Sequence, residues 1–143
     1  MKSIIAEQKI RELLPQKAPF TMVSHLINFD ETAVTTGLSI KADNLFIEEG
    51  FFNESGMIEN MAQSIALHIG YRYLLMDEEA PIGYIGAINN VKLYNRPKKD
   101  EFITTEIEVI QEFMGVTLIQ GKVICDNEVM MTAKMKTVLS EES

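Results

Sequence analysis

The 143-residue sequence contains a single cysteine, two histidines and no tryptophan. The lone thiol of Cys125 excludes an internal disulfide framework, and it also excludes a metal site built from clustered cysteines. Two histidines are too few for a His-rich metal site. The sequence therefore predicts no resident metal and no cofactor.

Long apolar runs are missing as well. A membrane-spanning helix needs about 18 or more apolar residues in a row, and the sequence has no such segment. The first 14 residues carry five charged side chains among the apolar ones, which distinguishes them from a signal peptide. We therefore expect a cytoplasmic protein with no membrane partner.

Positive charge is scarce, because 13 lysine and arginine residues face 21 aspartate and glutamate residues, for a net charge of −8. A general nucleic-acid binder needs a basic surface to hold phosphates, so this class of protein is excluded. The segment VKLYNRPKKD, with Arg96, Lys98 and Lys99, is a local exception. It is typical of a charged turn between strands, and it also fits a docking patch for an acidic partner.

The remaining composition indicates one globular domain over residues 1–143, with 46% hydrophobic and 24% charged residues. Apolar residues among charges predict a short helix over 3–14, ended by Pro15. Two β-branched runs joined at 30–32 predict a hairpin, and a long helix over 55–76 follows, capped by Asn53 or Ser55. Four strand-like runs with turn signals between them complete the chain. This order predicts an α+β architecture, with an antiparallel sheet wrapped on the long helix.

The long helix has two different sides when it is projected at about 100° per residue. One arc is apolar, and we expect it to be buried against the sheet. It consists of Ile58, Met61, Ala62, Ile65, Ala66 and Ile69. The opposite arc is polar but nearly chargeless, so substrate, sheet or another subunit should cover much of it. It consists of Glu59, Asn60, Gln63, Ser64 and His68.

Two segments carry a family resemblance. LLPQKAPFTMVSHL, followed by FFNESGMIENMAQSIA, resembles the hot-dog-fold 3-hydroxyacyl-(acyl carrier protein) dehydratases. PIGYIGAINNVKLYNRP lies where that family has its central strand. The pattern is most similar to the subfamily of aryl-polyene and flexirubin pigment clusters. The resemblance covers about residues 13–140 and implies the hot-dog fold.

The resemblance also implies a site and partners. It implies a homodimer with an active site between protomers, and an acyl carrier protein or coenzyme A thioester as substrate. Glu59 matches the catalytic carboxylate, and the helix start near Gly56 would hold the thioester carbonyl. An apolar surrounding, supplied by Phe46, Phe51 and Phe52, would raise the pKa of such a carboxyl. The alternative is that Glu59 has no catalytic role and is only a first-turn acid that the helix dipole stabilises.

Several other residues are candidates for the site, and structural roles are weighed for them as well. Gln63 lies one turn after Glu59 and either orients it or bonds the helix to the sheet. The fatty-acid-synthesis dehydratases have a histidine before the helix, and ungapped counting from Glu59 places Leu45 there. Gln16 replaces another histidine of the subfamily. His25 and His68 fit structural roles better than catalytic ones.

Removing water from a 3-hydroxyacyl thioester needs one group to take the C2 proton and another to protonate the leaving hydroxyl. The sequence offers Glu59 and no evident second group. Three functions therefore remain: a dehydratase of fatty-acid or polyene-type biosynthesis, an acyl thioesterase on the same fold, and a non-catalytic acyl-binding subunit. The last of these would pair with a related hot-dog subunit.

Overall fold

The computed structural model describes residues 1–139, and the following bounds refer to it. In chain order the elements are α1 (Glu7–Leu13), β1 (His25–Asp30), β2 (Ala33–Ser39), β3 (Ile47–Glu48), β4 (Phe51–Phe52), α2 (Glu54–Leu75), β5 (Gly83–Leu93), β6 (Phe102–Phe113), β7 (Val116–Cys125) and β8 (Glu128–Leu139). Neither helix combines the length and the apolarity that crossing a membrane requires.

Six strands form one antiparallel sheet in the order β1-β2-β6-β7-β8-β5. The predicted hairpin is β1–β2, and the four predicted later strands are β5 to β8. The sheet packs on α2, so the predicted α+β architecture and the hot-dog arrangement are confirmed. The small β3–β4 pair was not predicted, because two-residue strands carry no readable alternation.

The long helix is within one residue of its predicted bounds, whereas α1 is shorter than predicted. Asn53 is the N-cap, and its side-chain oxygen accepts a hydrogen bond of 2.9 Å from the Gly56 N–H. That bond satisfies one of the orphan donors at the helix start. Of the two predicted caps, the structure therefore uses Asn53.

The side of α2 that faces the sheet differs from the prediction. Ile58, Ala62, Ala66 and Ile69 are only half-buried, although Met61 and Ile65 of the same predicted arc are in the core. The predicted polar arc is buried instead, apart from Glu59, which is half-exposed. Substrate, sheet and another subunit were the three predicted ways of covering this arc, and in the structure the chain's own sheet and loops bury it.

The polar arc can be buried because every one of its buried side chains has a partner. Asn60 donates to the Met22 carbonyl at 2.8 Å and accepts from the Thr105 hydroxyl. The hydroxyls of Ser64 and Thr36 lie 2.7 Å apart. Short amides and hydroxyls that are fully bonded cost little to bury, whereas unpaired ones would cost about 1–3 kcal/mol each.

Candidate active site at the start of the long helix

The first turn of α2 is packed against two aromatic rings. Phe46 and Phe52 meet edge to face, with ring centroids 6.4 Å apart, and Phe52 is fully buried. A Cβ on Gly56 would lie 2.6 Å from the Phe52 ring and 2.7 Å from the Phe46 Cβ. Only glycine therefore lets the helix start approach these rings. Phe51 points the other way and is 38% exposed.

The donors of this first turn are not all free. The first N–H groups of a helix have no partner within the helix, and the Gly56 N–H is already bonded to Asn53. The Glu54 N–H bonds the carboxylate of its own side chain, so the Ser55 N–H is the donor of this turn that remains for an incoming carbonyl oxygen. The positive end of the helix dipole favours negative charge on such an oxygen.

Glu59 lies on the open side of α2, not on the buried polar arc. It is half-exposed, and at about 100° per residue it falls within a quarter-turn of Ala62 and Ala66, which are half-buried too. The carboxylate therefore stands at the N-terminal end of a small, apolar stripe that the sheet leaves uncovered.

A groove continues from that stripe. It has a volume of about 340 Å³ and lies between the end of α1 with the segment after it, the open side of α2, the start of β5 with the residues before it, and Thr137 of β8. Its helix wall begins at Ala62, one turn beyond Glu59, and its opposite wall includes Ile82, Tyr84 and Ile85. The lining is mainly apolar, so the groove suits a hydrocarbon chain.

Gln16 was noted in the sequence only as a replaced histidine, and the structure places it in the groove wall. Its side-chain oxygen is buried and has no hydrogen-bond partner among residues 1–139. Nothing in the sequence pattern showed this, because the groove joins four segments that are far apart in the chain.

Gln63 faces away from the groove and is fully buried. Its amide oxygen accepts from the Met22 N–H at 2.6 Å, and its amide nitrogen donates to the Phe20 carbonyl at 2.9 Å. Both polar atoms are therefore used to hold the 20–22 segment against α2, which favours the bonding role over orientation of Glu59.

Neither histidine joins this site. His68 Nε2 lies 2.8 Å from the Asp30 carbonyl, and burial is the main cause that lowers the pKa of the ring. His25 lies on β1, at the sheet edge opposite β5, with Nδ1 2.8 Å from the Ser24 hydroxyl. Leu45, which ungapped counting predicts at the family's histidine position, is 50% exposed on the surface of the single chain.

The segment predicted to dock a carrier protein is partly neutralised. Arg96 forms an ion pair with Glu54, and this bond is the main cause that lowers the pKa of Glu54 and raises that of Arg96. The backbone N–H of Lys98 donates to the Glu101 carboxylate at 2.6 Å. Lys99 bonds through its backbone to the Gly50 carbonyl at 3.0 Å, so this segment is a structured turn beside the helix start.

One group of metal-ligand types lies near that turn. The ligand atoms of Glu101, Cys125 and Asp126 lie within 4.8 Å of one another. Burial is the main cause that raises the pKa of the Cys125 thiol to about 12, with nearby carboxylates adding to it. A metal binds the thiolate, and this site disfavours that form, so we assign no metal to it.

Comparison with solved structures shows the class of fold to which this chain belongs. A solved chain described as the dehydratase heterocomplex ApeI:P from Xenorhabdus doucetiae matches with a TM-score of 0.84 at 18% identity, covering 93% of this chain and 91% of that one. A hypothetical thioesterase from Streptococcus pneumoniae, solved with coenzyme A, matches with a TM-score of 0.67 at 8% identity, covering 81% and 84%. The chain is therefore a hot-dog-fold protein.

Sequence relatives narrow the class to a family. The 3-hydroxyacyl-[acyl-carrier-protein] dehydratase FabZ of Ruminiclostridium cellulolyticum is 23% identical over 96% of this chain and 99% of its own. That of Actinobacillus pleuropneumoniae is 27% identical over 92% of each. The family model "ApeP-like: ApeP dehydratase" matches residues 8–143. The chain belongs to this ApeP-like dehydratase family.

Proposed function

We propose that this chain is a subunit of a 3-hydroxyacyl-thioester dehydratase whose substrate is carried by an acyl carrier protein. One observation carries the proposal: Glu59, which the resemblance matches to the family's carboxylate, lies one turn before an open apolar groove whose helix wall begins at Ala62. The predicted alternative of a first-turn acid fits Glu59 less well, because the acid in the first turn of α2 is Glu54.

The arrangement supports a binding mode for the substrate. The acyl tail would lie in the groove along Ala62 and Ala66, where burial of each methylene contributes about 0.8 kcal/mol. The thioester carbonyl would accept from the Ser55 N–H at the helix start. That donor and the helix dipole stabilise the negative charge that develops on the oxygen when the C2 proton leaves. Glu59 would take that proton.

Dehydration needs a second proton transfer. The C2–H and C3–O bonds break, a C2–C3 double bond forms, and the leaving hydroxyl takes a proton to become water. Within this chain Glu59 would have to return the proton it took. In a complex, a partner hot-dog subunit would supply a second acid at the site.

The sheet edge supports such a complex. Strand β5 pairs with β8 on one side only, and its side chains Tyr84, Ile88, Val91 and Leu93 are exposed. The unpaired N–H and C=O groups of such an apolar edge strand can form hydrogen bonds with a strand of another chain. A homodimer would pair two copies of β5, and the solved ApeI:P relative is described as a heterocomplex. We favour a partner that is a related but different hot-dog subunit.

The test replaces Glu59 by Gln, which keeps the shape and removes the titrating proton. Turnover of a 3-hydroxyacyl carrier thioester should fall by about three orders of magnitude or more, since proton transfer is lost. Glu79→Gln, at an exposed position after α2, is the matched control and should retain activity. Both chains are assayed alone and mixed with a hot-dog relative from the same gene neighbourhood, and sedimentation reports each assembly.

The product separates dehydration from the alternatives. An enoyl thioester supports the proposal, and activity only in the mixture supports the different partner. Free thiol would identify a thioesterase, which one carboxylate and a helix start can support without a second acid. If wild type and Glu59→Gln bind acyl carrier equally and neither turns it over, the non-catalytic reading holds and the proposal fails.

A further inference from the structure

The outer face of the sheet, which points away from α2, carries a group of four lysines. Along β8 the inward residues Met131, Ala133 and Met135 are buried, so the residues between them face outward. Lys134 and Lys136 are two of these outward residues. We call them, together with Lys92 of β5 and Lys122 of β7, the outer lysine face.

The strand register brings these four side chains together. Thr132 of β8 pairs with Lys122 on one side and with Lys92 on the other, so both lysines share the outward face of Thr132. Lys134 follows two residues later on the same face. The outer lysine face therefore extends across three neighbouring strands and reaches the sheet edge at β5.

No acid offsets this charge on the same three strands. The outward positions of β5, β7 and β8 carry no aspartate or glutamate, and none of the four ammonium groups forms an ion pair with a carboxylate of residues 1–139. On β6, Glu106 is the register partner of Lys122 and lies directly opposite it, whereas Lys92, Lys134 and Lys136 have no acid opposite them. In a chain of net charge −8, these three neighbouring lysines without an opposing acid indicate an acidic partner.

One end of the outer lysine face leads towards the candidate active site. Lys92, at that end, is four residues before Arg96 on the chain, and Arg96 is paired with Glu54 in the first turn of α2. The flexible arm of a carrier docked on this face would reach the helix start around this end of β5. The predicted docking segment is less suited to this role, since Arg96 is neutralised and Glu101 lies beside Lys98.

We propose that the outer lysine face, and not the segment at Arg96, Lys98 and Lys99, is the main docking surface for an acidic acyl carrier protein. This inference rests on the proposed function for the identity of the partner. Lysines that face carboxylates across an exposed interface act mainly by raising the association rate. The affinity for the carrier protein should therefore fall steeply as the salt concentration is raised.

Two double variants with the same overall charge test the proposal. Lys134→Glu/Lys136→Glu and Lys98→Glu/Lys99→Glu each replace two positive charges by two negative ones, so both change the net charge from −8 to −12. Any difference between them is therefore local and not a result of the total charge. Thermal unfolding of both, and of the milder Lys134→Gln/Lys136→Gln, verifies that the chains are folded.

Binding of holo acyl carrier protein is measured by titration, which needs no turnover. The Kd should rise about tenfold or more for the outer-face variant and less than about threefold for the other. Where the chain is active, KM should rise for the carrier thioester and stay unchanged for the N-acetylcysteamine thioester. A failure of the proposed function would abolish turnover of both thioesters in wild type and leave the binding titration readable.

Two results would overturn the inference. One is equal weakening by the two double variants, or greater weakening by Lys98→Glu/Lys99→Glu. The other is unchanged carrier binding together with loss of binding to phosphatidylglycerol vesicles in the outer-face variant, which would assign the lysines to an anionic lipid surface.

Discussion

The two sides of α2 differ in a way that ordinary helix amphipathicity does not predict. The side with Asn60, Gln63 and Ser64 is fully buried in the single chain, and each of these side chains is bonded to a remote loop or strand. The side with Ala62 and Ala66 is apolar, yet it is half-open and lines a groove. A helix normally buries its apolar side and exposes its polar one.

The difference separates structure from function along one helix. The polar side is a closed hydrogen-bonding system with no atom left for a substrate. The apolar side retains unburied surface, whose coverage by an acyl chain or a partner subunit remains favourable. Glu59 belongs to this open side, so its carboxylate is available where Gln63, one turn on, is not.

The largest expected loss of stability comes from removing hydrogen bonds on the polar side of α2. Asn60→Leu keeps the number of side-chain heavy atoms and their branching but leaves the Met22 carbonyl and the Thr105 hydroxyl without their partner. Unfolding free energy should fall by about 2–5 kcal/mol, because two buried polar groups lose their bonds. Urea denaturation measures the loss.

Ala62→Leu on the open side is the matched control for Asn60→Leu. Its added methylenes enter the groove, so stability should change by less than about 1 kcal/mol. Equal losses in the two variants would show that both sides of α2 are structural, and the comparison would fail.

A smaller loss of stability is expected from a substitution at the start of α2, where the two sides of the helix meet. Gly56→Ala brings a methyl group within 2.7 Å of Phe46 and Phe52, so the rings or the helix must shift. The cost should be about 1–3 kcal/mol of unfolding free energy. Gly86→Ala on β5 is the control, since its Cβ would meet nothing closer than 3.7 Å.

Activity sharpens the Gly56 test. Since the Gly56 N–H is held by Asn53, we assign this glycine to packing and not to direct contact with the thioester. Turnover by the folded fraction of Gly56→Ala should therefore drop far less than in Glu59→Gln. A Gly56→Ala chain of wild-type stability that has lost all activity would contradict this assignment.

The sequence pattern predicted the elements better than their orientation. Alternation and turn signals found the later strands, and the proximity of Asn53 to an apolar-rich run found the helix cap, because these signals are local. The side of α2 that meets the sheet depends on distant partners. Asn60 bonds to Met22, 38 residues away, and to Thr105, 45 residues away, and no local pattern contains these pairings.

The candidate site shows the same division. Glu59 was predicted from its motif and from the lack of other charges nearby, both of which are visible along the chain, and its catalytic role stays a prediction. The groove was missed because its walls come from four segments, and Gln16 among them has no sequence signal of its own. The Glu54–Arg96 pair, 42 residues apart, likewise changed the role expected of Arg96.

The smallest expected effect concerns His68, at the C-terminal part of the polar side. Burial, as the main cause, lowers the pKa of this ring below its ordinary value of 6.5. The unfolded chain therefore binds a proton near pH 6.5 that the folded chain does not, and stability contributed here falls as pH falls below about 6.5. His68→Gln keeps a donor for the Asp30 carbonyl and removes the titration.

The difference in unfolding free energy between wild type and His68→Gln, measured from pH 8 to pH 5.5, should therefore shift in favour of the variant as pH falls. The other titrating groups are common to both chains and cancel in this difference. A difference that stays constant over the range would mean that His68 is protonated equally in both states. The buried polar side would then tolerate a charge, and its description as a closed neutral system would be wrong.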